Sequence, residues 1–240
     1  MNEPSQRAVR AERLGPSFDL LAGYEPGGVF MERDGLGVSG ACDAGSWVVG
    51  FSADGRRNHR EAILSSLDGL RAEDPDAPLP IAFGSIPFAP HRVSTFTVPG
   101  RLIRRDGNGE TWLIDLAGPG AWSAPFEPRR ATGGGAPGEP FSSMQLRAVP
   151  LPDRYTRAVR EAVERIDRGE LRKVVLARSI EVAAGRALRP KQLLARLRAV
   201  EPGCYSFAVP TGSGRTLVGA TPELLVSRFG RQVRANPLAG

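Results

Sequence analysis

One lysine in the second half of the chain sits in a pattern that can bear chemistry. In residues 172–178, RKVVLAR, a strand would place Lys173 on one face with Val175 and Ala177, and the apolar residues on the other. Such a column of small and medium side chains can border a cavity. The alternative is a lysine at the end of a strand, with its amine in solvent. The pattern alone leaves both interpretations open.

A carboxylate further along the chain occupies a similarly ambiguous place. Glu223 follows Pro222, and a proline removes a hydrogen-bond donor from the strand ladder, so a strand break is predicted there. A glutamate at a break can point into a site, or it can cap the strand. Lysine and glutamate are both residue types that transfer protons in enzymes.

Other motifs favour ordinary structure over chemistry. Residues 35–40, GLGVSG, match the glycine spacing of a dinucleotide-binding loop, but residues 41–46 do not begin the helix that would hold a pyrophosphate. We therefore predict a hairpin turn at 35–40. His59 and His91 are the only histidines, which argues against a zinc cluster and against a histidine-based triad.

The elements that must position these residues are mostly strands. Period-two apolar runs predict strands, and apolar residues three and four apart predict helices. The predicted strands are 28–31, 46–51, 80–88, 95–104, 111–114, 173–182, 205–209, 216–220 and 224–229. A turn is predicted at 33–35, and the sequence DGNG predicts a hairpin turn at 106–109. The predicted helices are 57–72, 153–168 closed by Gly169, and 190–200 closed by Pro202-Gly203. Helices mixed with antiparallel hairpins predict an α+β fold.

The chain divides into three parts by composition. Residues 1–116 are predicted to form a β-rich N-terminal part. In residues 117–143, 11 of 27 residues are Gly or Pro, which predicts a surface loop or linker. Residues 144–240 then carry the regular alternation of helices and strands that holds Lys173 and Glu223.

Charge and composition narrow the class of protein. The net charge of +6 is concentrated late, because residues 1–150 carry −3 and residues 151–240 carry +9. Acidic residues interleave with those arginines and no basic–aromatic run accompanies them, so an anionic small molecule is favoured over nucleic acid. There is no apolar stretch long enough to cross a membrane. Two distant cysteines, Cys42 and Cys204, argue against a disulfide framework and predict a cytoplasmic protein.

Three segments, in order, resemble the chorismate-binding enzymes. They are residues 172–178, residues 219–225 (GATPELL) and residues 236–240 (NPLAG). The strand around residues 84–88, GSIPF, is similar to the N-terminal region of that family. Within the family, the order and spacing are most similar to isochorismate synthases of the siderophore type.

The resemblance implies a fold, a substrate and roles for three residues. The fold would be that of anthranilate and aminodeoxychorismate synthases, with mixed, largely antiparallel sheets. Lys173 would act as general base on the water that attacks C2 of chorismate, and Glu223 as general acid on the departing C4 hydroxyl. Gly240 would contact the substrate through its backbone, where a missing Cβ permits close approach. Mg²⁺ is the implied cofactor, and the full-length enzyme is expected to be monomeric.

The resemblance also leaves alternatives. Salicylate synthase keeps the same lysine, whereas anthranilate and aminodeoxychorismate synthases, which use ammonia, do not. The family's acidic Mg²⁺ ligands come after the position of Gly240. We therefore expect these 240 residues to be an N-terminal portion without metal ligands, inactive alone. The remaining alternative is an inactive fragment that acts only as a binding module.

Overall fold

The computed structural model describes residues 7–15, 17–42, 47–51, 70–72, 74–78, 80–85, 94–116, 144–212 and 214–236. The chain forms two units: Met1–Ala136 with Arg189–Gly240 is the first unit, and Pro137–Leu188 is the second unit. Within the described residues, no helix is long and apolar enough to cross a membrane.

Strands dominate the described chain. Its strands are β1 (Arg7–Leu14), β2 (Val29–Arg33), β3 (Leu36–Ala41), β4 (Trp47–Phe51), β5 (Leu70–Ala72), β6 (Phe83–Ser85), β7 (Ser94–Val98), β8 (Arg101–Arg105), β9 (Thr111–Asp115), β10 (Met144–Val149), β11 (Ser179–Ala184), β12 (Tyr205–Gly212), β13 (Arg215–Thr221), β14 (Leu224–Phe229) and β15 (Gln232–Asn236). The helices are a 3₁₀ helix (Leu20–Gly23), α1 (Pro152–Asp167) and α2 (Pro190–Val200).

An eight-stranded sheet forms the centre of the first unit. Its strand order is β13-β12-β2-β3-β8-β9-β1-β5, and every pair is antiparallel except β1 with β5. The first unit also holds the three-stranded sheet β4-β7-β6 and the hairpin β14-β15. The predicted α+β fold with largely antiparallel sheets is therefore confirmed.

Both faces of the large sheet are covered. Adjacent residues on a strand point to opposite faces, and on β8 both Leu102 and Ile103 are buried. Leu102 joins the hydrophobic cluster Val9, Val38, Val98, Leu102, Trp112, Ile114 and Leu116. Ile103 joins the cluster Leu20, Leu21, Tyr24, Phe30, Ile103, Leu194 and Ala208, which brings in the 3₁₀ helix and α2.

The second unit contains α1 and the hairpin β10-β11. Helix α1 starts with a proline and ends in a Schellman cap: Gly169 adopts a φ of +74°, and the Glu170 amide donates to the Arg165 carbonyl over 2.9 Å. Strand β11 pairs with β10 from Val149 opposite Ser179 to Met144 opposite Ala184. No residue of α1 is buried.

Several predicted elements are confirmed. Both helices of the second half lie where the periodicity places them, and Gly169 closes the first. Strands β12, β13 and β14 match their predictions. The 106–109 turn separates β8 from β9, with the Gly109 amide donating to the Asp106 carbonyl over 2.9 Å.

Other predictions were wrong or lie outside the described residues. Residues 36–41, predicted as a turn, form strand β3. The turn predicted at 33–35 is confirmed, because Asp34 and Gly35 have left-handed φ angles of 53° and 76°. The predicted strand 95–104 is two strands, because Pro99-Gly100 interrupts the ladder. Residues 70–72 of the predicted helix 57–72 are strand, and 57–69 lie outside the described residues.

Candidate active site

Lys173 lies in the connection between α1 and β11, not in a strand. The predicted strand 173–182 is confirmed only for residues 179–182, because residues 173–178 form no ladder and β11 begins at Ser179. The Lys173 side chain is exposed, and Val175 is 80% exposed. In the described second unit, no column of side chains therefore encloses the lysine.

One aromatic residue of α1 contacts the segment that carries Lys173. The Tyr155 hydroxyl donates to the Leu176 carbonyl over 3.3 Å. The Arg178 guanidinium lies over the Tyr155 ring, 5.5 Å from its centroid, within the range of a cation–π interaction. Tyr155 thus touches the connection at two points, both C-terminal to Lys173.

Glu223 lies between β13 and β14, and the strand break predicted at Pro222 is confirmed. Its backbone N–H donates to the Thr221 hydroxyl over 3.2 Å, a local turn that sets the direction of the chain after the proline. The Glu223 side chain is exposed. The carboxylate therefore projects from a defined turn.

The three predicted site residues fall in different parts of the chain. Lys173 belongs to the second unit and Glu223 to the first, and Gly240 lies outside the described residues. Among the residues the structure describes, no group of three or more His, Cys, Asp or Glu side chains could hold a metal ion. The described residues therefore do not by themselves form a site that fits Mg²⁺.

One polar site among the described residues of the first unit was not predicted. Arg198 on α2 forms a two-pronged ion pair with Asp19, with distances of 2.7 Å and 3.2 Å, and also lies 3.1 Å from a carboxylate oxygen of Glu32. We call these three residues the Arg198 cluster. Glu32 is only 7% exposed. A buried carboxylate of this kind is stable only with such a partner.

The pKa values of the two carboxylates shift in opposite directions, because burial and Arg198 balance differently at each one. Burial raises the pKa of Glu32 above its ordinary value of 4.5, and the opposing charge and hydrogen bond of Arg198 offset this only in part. Burial also acts to raise the pKa of Asp19, but the hydrogen bonds and charge of Arg198 outweigh it and lower that pKa below 3.8. Arg198 therefore binds Asp19 as a full ion pair.

Two further cations complete this polar region. Arg105 of β8 and Glu32 of β2 flank Gly37 of β3 in one cross-strand row, and the charge of Arg105 acts on Glu32. The Lys191 ammonium donates to the carbonyls of Ala22 and Tyr24 over 2.9 Å and 3.3 Å. One feature of the sequence could have indicated this site. Lys191 and Arg198 lie three residues before and four residues after Leu194, and residues at these spacings share a helix face.

Comparisons with known proteins agree with the fold. Residues 135–240 match the family described as "Chorismate binding enzyme". Isochorismate synthase DhbC of Bacillus subtilis is 29% identical over 231 residues, covering 92% of this chain and 51% of that protein. Anthranilate synthase component 1 of Streptomyces coelicolor is 41% identical over 86 residues, covering 36% of this chain and 16% of that protein.

The backbone of this chain is also similar to that of a solved structure. A Bacillus anthracis protein, provisionally described as the 2,3-dihydroxybenzoate-specific isochorismate synthase DhbC, superposes with a TM-score of 0.64 at 25% identity, covering 92% of this chain and 51% of the other. Over residues 135–240, the chain is therefore similar to chorismate-binding enzymes. It spans about half the length of the DhbC proteins that it matches.

Proposed function

We propose that the whole protein containing these residues converts chorismate to isochorismate. The observation that carries the proposal is the match to an isochorismate synthase over 92% of the chain, together with a lysine in the RKVVLAR segment. In the proposed reaction, water adds at C2 while the C4 hydroxyl departs as water, so substrate and product are isomers. Siderophore or related metabolism is the proposed destination of the product.

Lys173 and Glu223 are the proposed proton-transfer residues. Lys173 removes a proton from the attacking water, and Glu223 delivers one to the departing hydroxyl. Both side chains are exposed in their own units, so the support for these roles is the segment match and not the surroundings. A general base and a general acid need a desolvated, well-aligned setting to be efficient. Mg²⁺ dependence is proposed from the family alone.

Two other products are chemically close. Salicylate synthase would use the same lysine, and the 41% identity to an anthranilate synthase over 86 residues favours anthranilate as a second candidate. Lys173 argues against anthranilate synthesis, because anthranilate formation uses ammonia and needs no activated water. A protein without turnover would be a binding module.

Product analysis of the purified whole protein tests the proposal. Incubation with chorismate and Mg²⁺, with and without ammonium, should give isochorismate, with neither anthranilate nor salicylate. Lys173→Ala should lower kcat by at least about 10², the lower end for a positioned general base. Arg172→Gln, at the exposed neighbouring position, is the matched control and should retain turnover. Near wild-type kcat in Lys173→Ala would exclude Lys173 as the base.

A further inference from the structure

The connection that carries Lys173 is attached firmly only at its ends. At its N-terminal end, the Leu171 amide donates to the Arg165 carbonyl over 3.3 Å as part of the α1 cap. At its C-terminal end, the β10-β11 ladder begins with Val149 opposite Ser179. The residues between them, 172–178, have no strand pairing. Their conformation therefore depends on side-chain contacts.

Tyr155 provides such a contact near the middle of the connection. It lies in the first turn of α1, where its own amide donates to the Leu151 carbonyl over 3.1 Å. The helix rises about 20 Å from Tyr155 to its end, and five extended residues from Leu171 to Leu176 cover about 17 Å at most. The connection therefore runs back along α1 until the Leu176 carbonyl meets the Tyr155 hydroxyl.

The two contacts of Tyr155 differ in chemistry. The hydroxyl bond to the Leu176 carbonyl, at 3.3 Å, is long for a hydroxyl donor. The ring also stacks under the Arg178 guanidinium at 5.5 Å. Because the ring faces the connection and α1 is held by its own hydrogen bonds, Tyr155 can restrict the path of residues 173–178 relative to the helix.

We propose that Tyr155 is a positioning residue for Lys173, acting through the Leu176 carbonyl and Arg178. The inference rests on the proposed function in that Lys173 is taken as the general base. In this role Tyr155 acts through the chain and not directly on the substrate. Its contribution is to reduce the number of directions from which the Lys173 amine can approach the water that attacks C2.

Backbone NMR relaxation tests the structural half of the proposal without any turnover. Tyr155→Phe removes only the hydroxyl, and amide order parameters of residues 173–177 should fall from about 0.8 towards about 0.6, while those of α1 stay unchanged. Tyr205→Phe, which removes a hydroxyl in the first unit, is the matched control and should leave residues 173–177 unchanged. Unaltered order parameters in Tyr155→Phe would overturn the proposal.

A double-mutant cycle in the whole protein tests the catalytic half. Tyr155→Phe should lower kcat about tenfold with KM within about twofold, because an interaction that aligns a catalytic group acts mainly in the transition state. In a Lys173→Ala background, the same substitution should have no further effect. Independent, multiplying losses would overturn the positioning role. If Lys173→Ala alone retains turnover, the proposed function fails instead, and the relaxation result still stands.

Discussion

The two helices of the second half share several sequence features but have different surroundings. Both α1 and α2 begin with proline, lack a side-chain N-cap, carry an apolar stripe and have arginine in the last turn. Helix α1 has no buried residue, although Val159, Val163 and Ile166 share one face. Helix α2 buries Leu194 completely against the large sheet of its unit. An apolar stripe in the sequence therefore predicts that a helix forms. It does not predict whether other residues cover the stripe.

The polar contacts of α2 are also more buried than those of α1. Around α2, Lys191 and the partly buried Arg198 bind groups at the 3₁₀ helix and on β2, so these charges and the buried Leu194 lie on one face. Around the end of α1, Arg165 and Arg168 bind Glu170 in solvent, and such exposed pairs contribute little. Removing side-chain groups from α2 should therefore lower the free energy of unfolding more than removing similar groups from α1.

The largest difference is expected for matched truncations of the two stripes. Leu194→Ala should lower the free energy of unfolding by about 3 kcal/mol, since it leaves a cavity in a closed core. Val163→Ala on α1, where Val163 is 50% exposed, should cost at most about 0.5 kcal/mol. Urea unfolding of both variants and the parent chain measures this. Equal losses would mean that α1 is as tightly packed as α2.

A smaller difference is expected in the pH dependence of stability. The pKa of Glu32 is raised on folding, so its contribution is fully present below pH 4.5 and is lost as the pH rises through the raised pKa. Glu32→Gln should therefore become progressively more stable relative to the parent above pH 4.5. The pKa of Asp19 is lowered, so its contribution is present above pH 3.8 and is lost at lower pH. Asp19→Asn should cost stability above pH 3.8 and less below it.

Urea unfolding at a series of pH values distinguishes these two carboxylates. Glu170→Gln beside α1 is the control, because its pKa is lowered only by exposed hydrogen bonds to Arg168 and Arg165. Its effect should shrink in high salt, which screens exposed charges far more than buried ones. Parallel stability profiles for Glu32→Gln and Asp19→Asn would contradict the opposite pKa shifts.

The smallest difference is expected at the glycines that follow the helices. Gly169 after α1 has a φ of +74°, while a Cβ there would meet no atom within 4 Å. Gly169→Ala should therefore cost about 1 kcal/mol through backbone strain alone. Gly203 after α2 is equally open and has no left-handed φ, so Gly203→Ala should be neutral within about 0.5 kcal/mol. Thermal melts of the two variants would show whether only α1 depends on a glycine cap.

Local signals explain which parts of the fold were predictable. Proline at the start of α1 and α2, Gly169 at the end of α1 and the turn at 106–109 act through their immediate neighbours, so the sequence places them correctly. The strand at 173–182 was wrong at its start, because a strand exists only where another strand supplies its hydrogen bonds. Residues 173–178 have no such partner in the described second unit.

The sequence by itself determined helices α1 and α2, most hairpins, the break at Pro222 and the resemblance that the family match confirms over residues 135–240. Only the tertiary structure decided which charges are buried. Arg198 meets Asp19 across 179 positions and Glu32 across 166, and neither spacing leaves a periodic trace in the sequence. Periodicity reports neighbours within a few residues, whereas burial depends on which distant segments the folded sheet brings against a helix.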